Sequence, residues 1–391
     1  MHGRLQVTIV TGTSAALAGL LCARMCAFGL PVARYRYDGN LLLRSHGGER
    51  VAIPAGDCAN CALRTDVAGF LTGLPGSRLL LVLPERADPL VIALAADAAG
   101  VAVETVAMIA DLGSVARDLA GDATLAERGL AAGAAGRRSL AGLLARQAET
   151  ADVFLTWTPP GTDPSQARLG RALLVHLSPR ARFLDLDAAA DLAGADKPRF
   201  DPRAVLERTE PGGALPPCPD AFAGVATLTW RSRRPFHPER LYAALGRVMD
   251  AGVHRARGHL WLASRPLSLL SWQIAGRTLA IEPAGRWLYA AGPAAWRQAS
   301  PIRRTAASID WHPEYGDRRS EIRFTGTGLR GHELCSALDH AVLTTPEMAC
   351  GEQAWARLAD PFTAWLGPAP RHAARPAGNR CNRPEEDEHA R

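Results

Sequence analysis

Cys58 and Cys61, two residues apart in Cys58-Ala59-Asn60-Cys61, offer the clearest metal-binding chemistry in the sequence. Two thiolates at this spacing can share one soft cation such as zinc, and a tetrahedral site then needs two further ligands. The same spacing also serves thiol redox chemistry. Gly56 and Asp57 just ahead of it suggest a loop rather than a helix start, which favours metal. His46, twelve residues upstream of Cys58, is a candidate third ligand. Cys22 and Cys26, one helical turn apart, could join only if the fold brings them near; otherwise they read as small buried apolar residues.

A second constellation opens the chain. Val7-Thr8-Ile9-Val10-Thr11-Gly12, followed by helix-forming sequence, stands where a phosphate-binding loop would. That loop needs glycines so that backbone N–H groups can cradle phosphate, a lysine for the β- and γ-phosphates, and Ser or Thr for Mg²⁺. Counted from Gly12, the required Gly, Lys and Ser/Thr positions hold Leu17, Ala18 and Gly19. Of the 45 Lys and Arg residues only Lys197 is a lysine. Arg24 comes more than a turn too late, and a planar guanidinium does not replace an ammonium. What remains is Gly12, Thr13 and Ser14 at a helix start: a degenerate nucleotide-binding turn, or an ordinary strand–turn–helix.

Farther along, alternation over 253–263 sets Arg255, Arg257, His259 and Trp261 on one strand face. His254, Ala256, Gly258, Leu260 and Leu262 fall on the other. Basic and aromatic groups on one face can meet phosphate and stack on bases; the alternative is an amphipathic strand with a solvated charged face. His237, in Arg233-Arg234-Pro235-Phe236-His237-Pro238, reads as a helix N-cap or packing residue. Asp310, Asp317, Arg318 and Arg319 read as a charged loop or ion-pair network. No Ser/His/Asp order or paired-carboxylate spacing marks a catalytic residue, so none is assigned.

The elements that must position these groups follow from periodicity. Residues 1–185 alternate strand and helix: strands near 5–11, 31–37, 78–83, 101–109, 152–157 and 181–184, helices near 15–28, 91–99, 139–150 and 164–177. This pattern predicts an α/β domain with a mostly parallel sheet covered on both faces. Residues 186–224, with Pro211-Gly212-Gly213 and Pro216-Pro217-Cys218-Pro219, read as a Pro/Gly-rich linker. A smaller α+β domain is expected over 225–366, with strands near 253–263, 269–275, 278–282 and 321–325 and helices near 238–249 and 331–341. The polar tail 367–391 is expected to be disordered.

Bulk properties narrow the class. Hydrophobic residues make up 47% of the chain and mean hydropathy is −0.05, the balance of a water-soluble protein. No apolar run approaches the roughly 20 residues that span a bilayer. No leader pattern opens the chain, so a cytoplasmic location without membrane contact is expected. Eight irregularly spaced cysteines fit reduced thiols better than a disulfide framework. Residues 225–363 hold 18 Arg against 12 Asp and Glu, a bias towards an acidic partner in the C-terminal half.

The C-terminal half resembles the CobW C-terminal domain. The resemblance rests on Arg233 through Leu241, Arg257-Gly258-His259-Leu260-Trp261-Leu262-Ala263, Glu282-Pro283-Ala284-Gly285-Arg286-Trp287 and Tyr315-Gly316-Asp317-Arg318-Arg319. Leu343-Thr344, Glu347-Met348 and Asp360-Pro361-Phe362 extend it, in the family's order, over some 130 residues. The N-terminal half is similar to the family's GTPase domain, which implies a sheet of the P-loop NTPase (SIMIBI-like) type. Cys58-Ala59-Asn60-Cys61-Ala62-Leu63-Arg64 keeps the outer cysteines of the family's C-x-C-C motif. Ala87-Asp88-Pro89 matches the turn after its Walker B-like strand. After Ala151-Asp152-Val153-Phe154-Leu155, where the family reads guanine with Asn-Lys-x-Asp, this chain has Thr156-Trp157-Thr158-Pro159-Pro160.

This combination is similar to the zinc-responsive, ribosome hibernation factor-recruiting (Mrf-like) subgroup. The resemblance implies zinc at Cys58 and Cys61, with the small ribosomal subunit and a hibernation factor as partners and no DNA. The missing lysine argues against GTP and against turnover, so an adaptor that works by binding is expected. The alternative is a GTP-dependent zinc metallochaperone, as proposed for the wider family. Arg255, Arg257 and Trp261 are the candidate ribosome contacts.

Overall fold

The computed structural model describes residues 5–56, 58–75, 78–131, 133–193, 200–213 and 219–369. Lys197 and most of the expected disordered tail lie outside them. By packing the chain divides into two units. The first holds residues up to 206 with 219–226 and 275–278; the second holds the remainder.

The first unit is built on an eight-stranded sheet. Its strands are β1 (Gln6–Thr11), β2 (Val32–Asp38), β3 (Leu41–His46), β4 (Glu49–Pro54), β5 (Arg78–Val82), β6 (Ala102–Asp111), β7 (Val153–Trp157) and β8 (Arg182–Asp185), in the order β4-β3-β2-β5-β1-β6-β7-β8. The pairs from β2 through β8 are parallel, whereas β3 runs antiparallel to both β2 and β4. The helices are α1 (Ala15–Ala27), α2 (Ala59–Thr72), α3 (Pro89–Ala98), α4 (Val115–Ala120), α5 (Gly133–Gly136), α6 (Leu140–Thr150) and α7 (Pro164–Leu177). Strand β1 is buried on both sides, as a central parallel strand must be. Its Val7 and Ile9 pack with Leu63, Val67 and Leu71 of α2 and Ile92 of α3. Its Val10 packs with Ala18, Leu21 and Met25 of α1. Helices α1 and α2 therefore lie on opposite faces of the sheet.

Two elements here were absent from the sequence reading. The β3–β4 hairpin turns on Gly47 and Gly48, whose φ values of 57° and 85° are the left-handed pair that a tight two-residue hairpin turn requires. The segment after Gly56 is no loop either, because α2 starts directly behind Cys58. Two described stretches of the expected linker are helical. Leu186–Ala193 is a 3-10 helix whose Leu186, Ala189 and Leu192 join the core under α1. A further helix, α8 (Pro202–Thr209), sends Val205 into the core on the α2 face.

The second unit carries β9 (Val225–Ser232), β10 (Val253–Leu260), β11 (Ser268–Ala275), β12 (Thr278–Arg286) and β13 (Ser320–Thr327) in the order β12-β11-β10-β13-β9. Helices α9 (Pro238–Asp250) and α12 (Gly331–Asp339) pack on one face with Ala256, Leu260, Trp272 and Phe324. A second cluster holds Trp261, Leu269, Trp287 and Trp355. Between β12 and β13 come α10 (Leu288–Gln298) and α11 (Pro301–Ile309). At Gly258, a Cβ would sit 2.1 Å from the Glu321 carbonyl oxygen, so β10 and β13 pair this closely only around a glycine. Among the described residues no helix is long and apolar enough to cross a membrane.

Candidate functional site

The turn after β1 is short. Strand ends at Thr11 and helix begins at Ala15, leaving only Gly12, Thr13 and Ser14 between them. Ser14 is the N-cap of α1, its hydroxyl accepting the Leu17 N–H at 3.3 Å. Gly12 lies against β6, where a Cβ would come within 3.0 Å of the Ile109 carbonyl oxygen. Leu17, Ala18 and Gly19 all lie inside α1, and Ala18 faces the core. A phosphate cradle is made of unpaired backbone N–H groups in a loop; here most of that length is already wound into helix.

Nearby guanidinium groups are committed elsewhere. Arg34 donates to the Ala15 carbonyl at 3.0 Å and lies along the flank of α1 beside Gly19. Arg24 pairs with Asp187 and donates to the Leu186 carbonyl. At the expected guanine-reading position, the Thr156 hydroxyl donates to the Leu184 carbonyl at 3.1 Å. The Trp157 carbonyl accepts the Leu112 N–H at 2.8 Å.

Cys58 and Cys61 do come together. Cys58 is the N-cap of α2, with extended φ and ψ of −130° and 92°. Its sulfur accepts the Cys61 backbone N–H at 3.2 Å. Both residues are exposed. The hydrogen bond from the Cys61 thiol, then that from the Cys61 backbone, holds the Cys58 thiol below the usual range, and Cys61 is pushed up by the same partnership. Close by, the Tyr37 hydroxyl donates to the Ala59 carbonyl at 3.1 Å, and the Arg86 guanidinium stacks 3.8 Å from the Tyr37 ring centre. Arg64 adds a further positive charge within reach of both sulfurs. The pair sits at the carboxyl end of the parallel strands, as does Gly12, which is the edge where open α/β sheets bind ligands.

The other suggested ligands lie elsewhere. His46 pairs with Ala33 at the amino end of β2 and packs on Phe70, far along α2 from its start. Phe70 is twelve residues from Cys58, about 18 Å of helix. Cys22 and Cys26 ride on α1, across the sheet from α2; Cys22 is half-buried and Cys26 exposed, so only the first behaves as a core residue. Among the described residues, no group of three His, Cys, Asp or Glu side chains is arranged to hold a metal ion.

In the second unit the expected alternation of β10 is present, but the basic and aromatic face is not solvated. Arg255 is buried and donates to the Ala256 and Ile274 carbonyls. Trp261 is fully buried, with the Arg318 guanidinium 4.8 Å from its ring centre. Arg257 is half-buried and donates to the Arg208 carbonyl at 2.8 Å. Tyr315, Trp355 and Arg318 cover Trp261, and a strap, residues 207–213, covers Arg257 and His259. The Gly212 N–H donates to His259 Nδ1 at 3.2 Å, and Arg319 donates to the Gly212 carbonyl. Glu210 accepts from Ser300 and pairs with Arg303.

The charged loop is a buried ion-pair network. Arg319 reaches Asp310 at 3.4 Å and Glu321 at 3.2 Å. Arg318 meets Glu352 at 2.7 Å among the rings of Trp261, Tyr289 and Tyr315. The Asp317 carboxylate accepts the Leu288 and Tyr289 N–H groups at the start of α10. His237 stands at the N-cap position of α9, its ring making no cap bond. These groups position backbone rather than present chemistry.

Comparison with known proteins adds the following. Residues 225–342 match the cobalamin synthesis protein CobW C-terminal domain. The chain is 34% identical over 233 residues to a zinc chaperone of Mycobacterium tuberculosis, covering 58% of this chain and 55% of the relative. It is 28% identical over 234 residues to a zinc-regulated GTPase metalloprotein activator of Dictyostelium discoideum, covering 58% and 49%. The chain thus spans about half the length of these curated relatives. Among solved structures, the Zn(II)-bound YjiA GTPase of E. coli aligns with a TM-score of 0.33 at 14% identity, over 88% of this chain and 100% of that one.

Proposed function

We propose, from the premise that residues 225–342 are a CobW C-terminal domain, that this chain is a zinc-linked adaptor that works by binding, without efficient GTP hydrolysis. The observation that carries the reading is the three-residue turn at Gly12–Ser14, with helix already formed where phosphate must be cradled and no lysine at Ala18. Phosphoryl transfer in this class leans on that ammonium and on Mg²⁺ held by the next hydroxyl. Gly12, Thr13 and Ser14 are left as a helix-start turn with room for at most a weak anion contact.

Zinc enters this reading as cargo. Cys58 and Cys61 supply two exposed soft ligands, one of them poised towards the thiolate that binds metal. A closed structural centre needs four protein ligands, whereas two ligands with two open positions suit an ion that is held briefly and passed on. The zinc chaperone and zinc-regulated activator among the relatives support this choice of metal.

For partners, the resemblance to the hibernation factor-recruiting subgroup supports recruitment of such a factor to the small ribosomal subunit when zinc is scarce. The basic C-terminal half favours an RNA-rich surface. The burial of Arg255 and Trp261 moves any contact away from those side chains, leaving Arg257 of the original three at the surface. The test is co-sedimentation of the purified full chain with small ribosomal subunits, with and without the hibernation factor. Co-sedimentation that strengthens with the factor is expected; a chain left in the supernatant in both cases defeats the adaptor.

A second reading, a GTP-dependent zinc metallochaperone, is supported by the similarity to a zinc chaperone and to a zinc-regulated GTPase metalloprotein activator. It requires Mg²⁺-dependent GTP turnover that is lost when Gly12 is changed. Such turnover would replace the first reading.

A further inference from the structure

We infer that Cys58 and Cys61 form a reversible dithiol–disulfide couple, and that closing the disulfide withdraws both sulfurs from metal; the second clause rests on the zinc reading, the first does not. Geometry carries the first clause. A disulfide needs Cβ atoms about 3.5–4.5 Å apart. Residues one turn apart within a regular helix hold theirs at about 5–6 Å. Cys58 escapes that limit because it is the cap: its extended backbone swings the side chain back over the first turn, until the sulfur lies 3.2 Å from the Cys61 nitrogen.

The chain contains its own control. Cys22 and Cys26 are also one turn apart, but both sit inside α1 with regular helical spacing, and Cys22 is half-buried. Of these two pairs, the Cys58 pair is the one that combines exposure, a cap conformation and a flanking positive charge, Arg64. Electropositive, accessible thiols are the ones that exchange with disulfides.

The oxidant is a low-molecular-weight disulfide. The Cys58 thiolate attacks one of its sulfurs, forming a mixed disulfide and releasing one small thiolate. Cys61 gives its proton to solvent and attacks the Cys58 sulfur, releasing the second small thiolate. Two protein thiols become one protein disulfide, and the two electrons leave on two molecules of small thiol. A free thiol in excess reverses both steps.

The experiment uses the reduced full chain exposed to oxidised glutathione, then alkylated and cut with trypsin. Residues 51–64 form one tryptic peptide containing both cysteines, because the flanking cleavage sites are Arg50 and Arg64. The expected result is loss of two hydrogens from this peptide with no alkyl adduct, while Cys22 and Cys26 remain alkylated. Zinc is then titrated against a chromophoric chelator, before and after oxidation and after re-reduction, and binding is expected to be lost and regained. Two alkyl groups on the peptide, or a persistent glutathione adduct on Cys58, overturns the couple and leaves the zinc reading intact. A disulfide that forms in a chain whose reduced state never binds zinc keeps the couple and defeats the zinc reading. Unchanged zinc binding after complete oxidation defeats the withdrawal of the sulfurs from metal. In Cys61→Ser the mixed disulfide must persist on Cys58; its absence would mean that Cys58 is not the attacking sulfur.

Discussion

Arg318 and Arg319 are neighbours in sequence and almost wholly buried, yet each is neutralised differently: one by Glu352 within a ring of aromatics, the other by Asp310 and Glu321. Removing one partner of a buried ion pair strands the other charge, at a cost of about 3–5 kcal/mol. Asp310 keeps its pairs with Arg231 and Arg233 when Arg319 is removed, so Arg319→Ala is expected to lower the unfolding free energy read from urea curves by an amount at the low end of that range. Arg203→Ala, at an exposed ion pair with Asp97, is expected to cost less than about 1 kcal/mol; equal losses would show that the first network contributes no more than a surface pair. His259 gives a pH signature. Full burial, and then the charges of Arg319, Arg231 and Arg303, push its pKa well below the ordinary value. A depressed folded pKa means that the unfolded chain takes up the proton first, so stability falls as pH drops below about 6.5. His259→Asn, which keeps an acceptor for the Gly212 N–H, is expected to flatten that slope between pH 6.5 and 5 in denaturation curves; an unchanged slope would assign it to other groups.

At the scale of elements, the same cysteine caps a helix and carries the candidate chemistry, and the two roles are separable. Serine is among the strongest N-cap residues, whereas alanine forfeits about 1 kcal/mol. Cys58→Ser is expected to keep the thermal midpoint while weakening zinc binding; Cys58→Ala is expected to lose both. If serine destabilises as much as alanine, the cap assignment fails. This helix start was not legible in the sequence because a thiol is not among the residues that announce one. The β3–β4 hairpin was overlooked for another reason. Asp38-Gly39-Asn40 and Gly47-Gly48 are turn signals, but β4 is largely exposed and its Val51-Ala52-Ile53 is a short apolar run without strand alternation. The buried central strands were legible because a parallel strand covered on both faces must be continuously apolar. In Leu186–Ala193 the prolines and glycines downstream obscured an apolar line at every third residue, which is the period of a 3-10 helix. For β10 the alternation was readable, but its covering was not. Part of that covering comes from a strap whose Gly212 lies 47 residues before His259, and no local pattern records that.

Across the whole molecule, the two candidate sites share the carboxyl edge of one sheet, whereas the excess arginine lies in residues 225–363. The short turn after β1 also fixes what position 18 can hold. Ala18, the position where a lysine would be needed, points into the core beneath α1 at 8% exposure. Ala18→Lys would force four methylenes and an ammonium into packed space, costing about 1–3 kcal/mol from overpacking alone and more for the stranded charge. It is expected to lower the melting temperature and to yield no GTP turnover; a stable, hydrolytic A18K protein would refute this account. A phosphate cradle at this turn would need the first turn of α1 unwound as well as Ala18 exchanged, so the helix itself keeps the lysine position inside the protein.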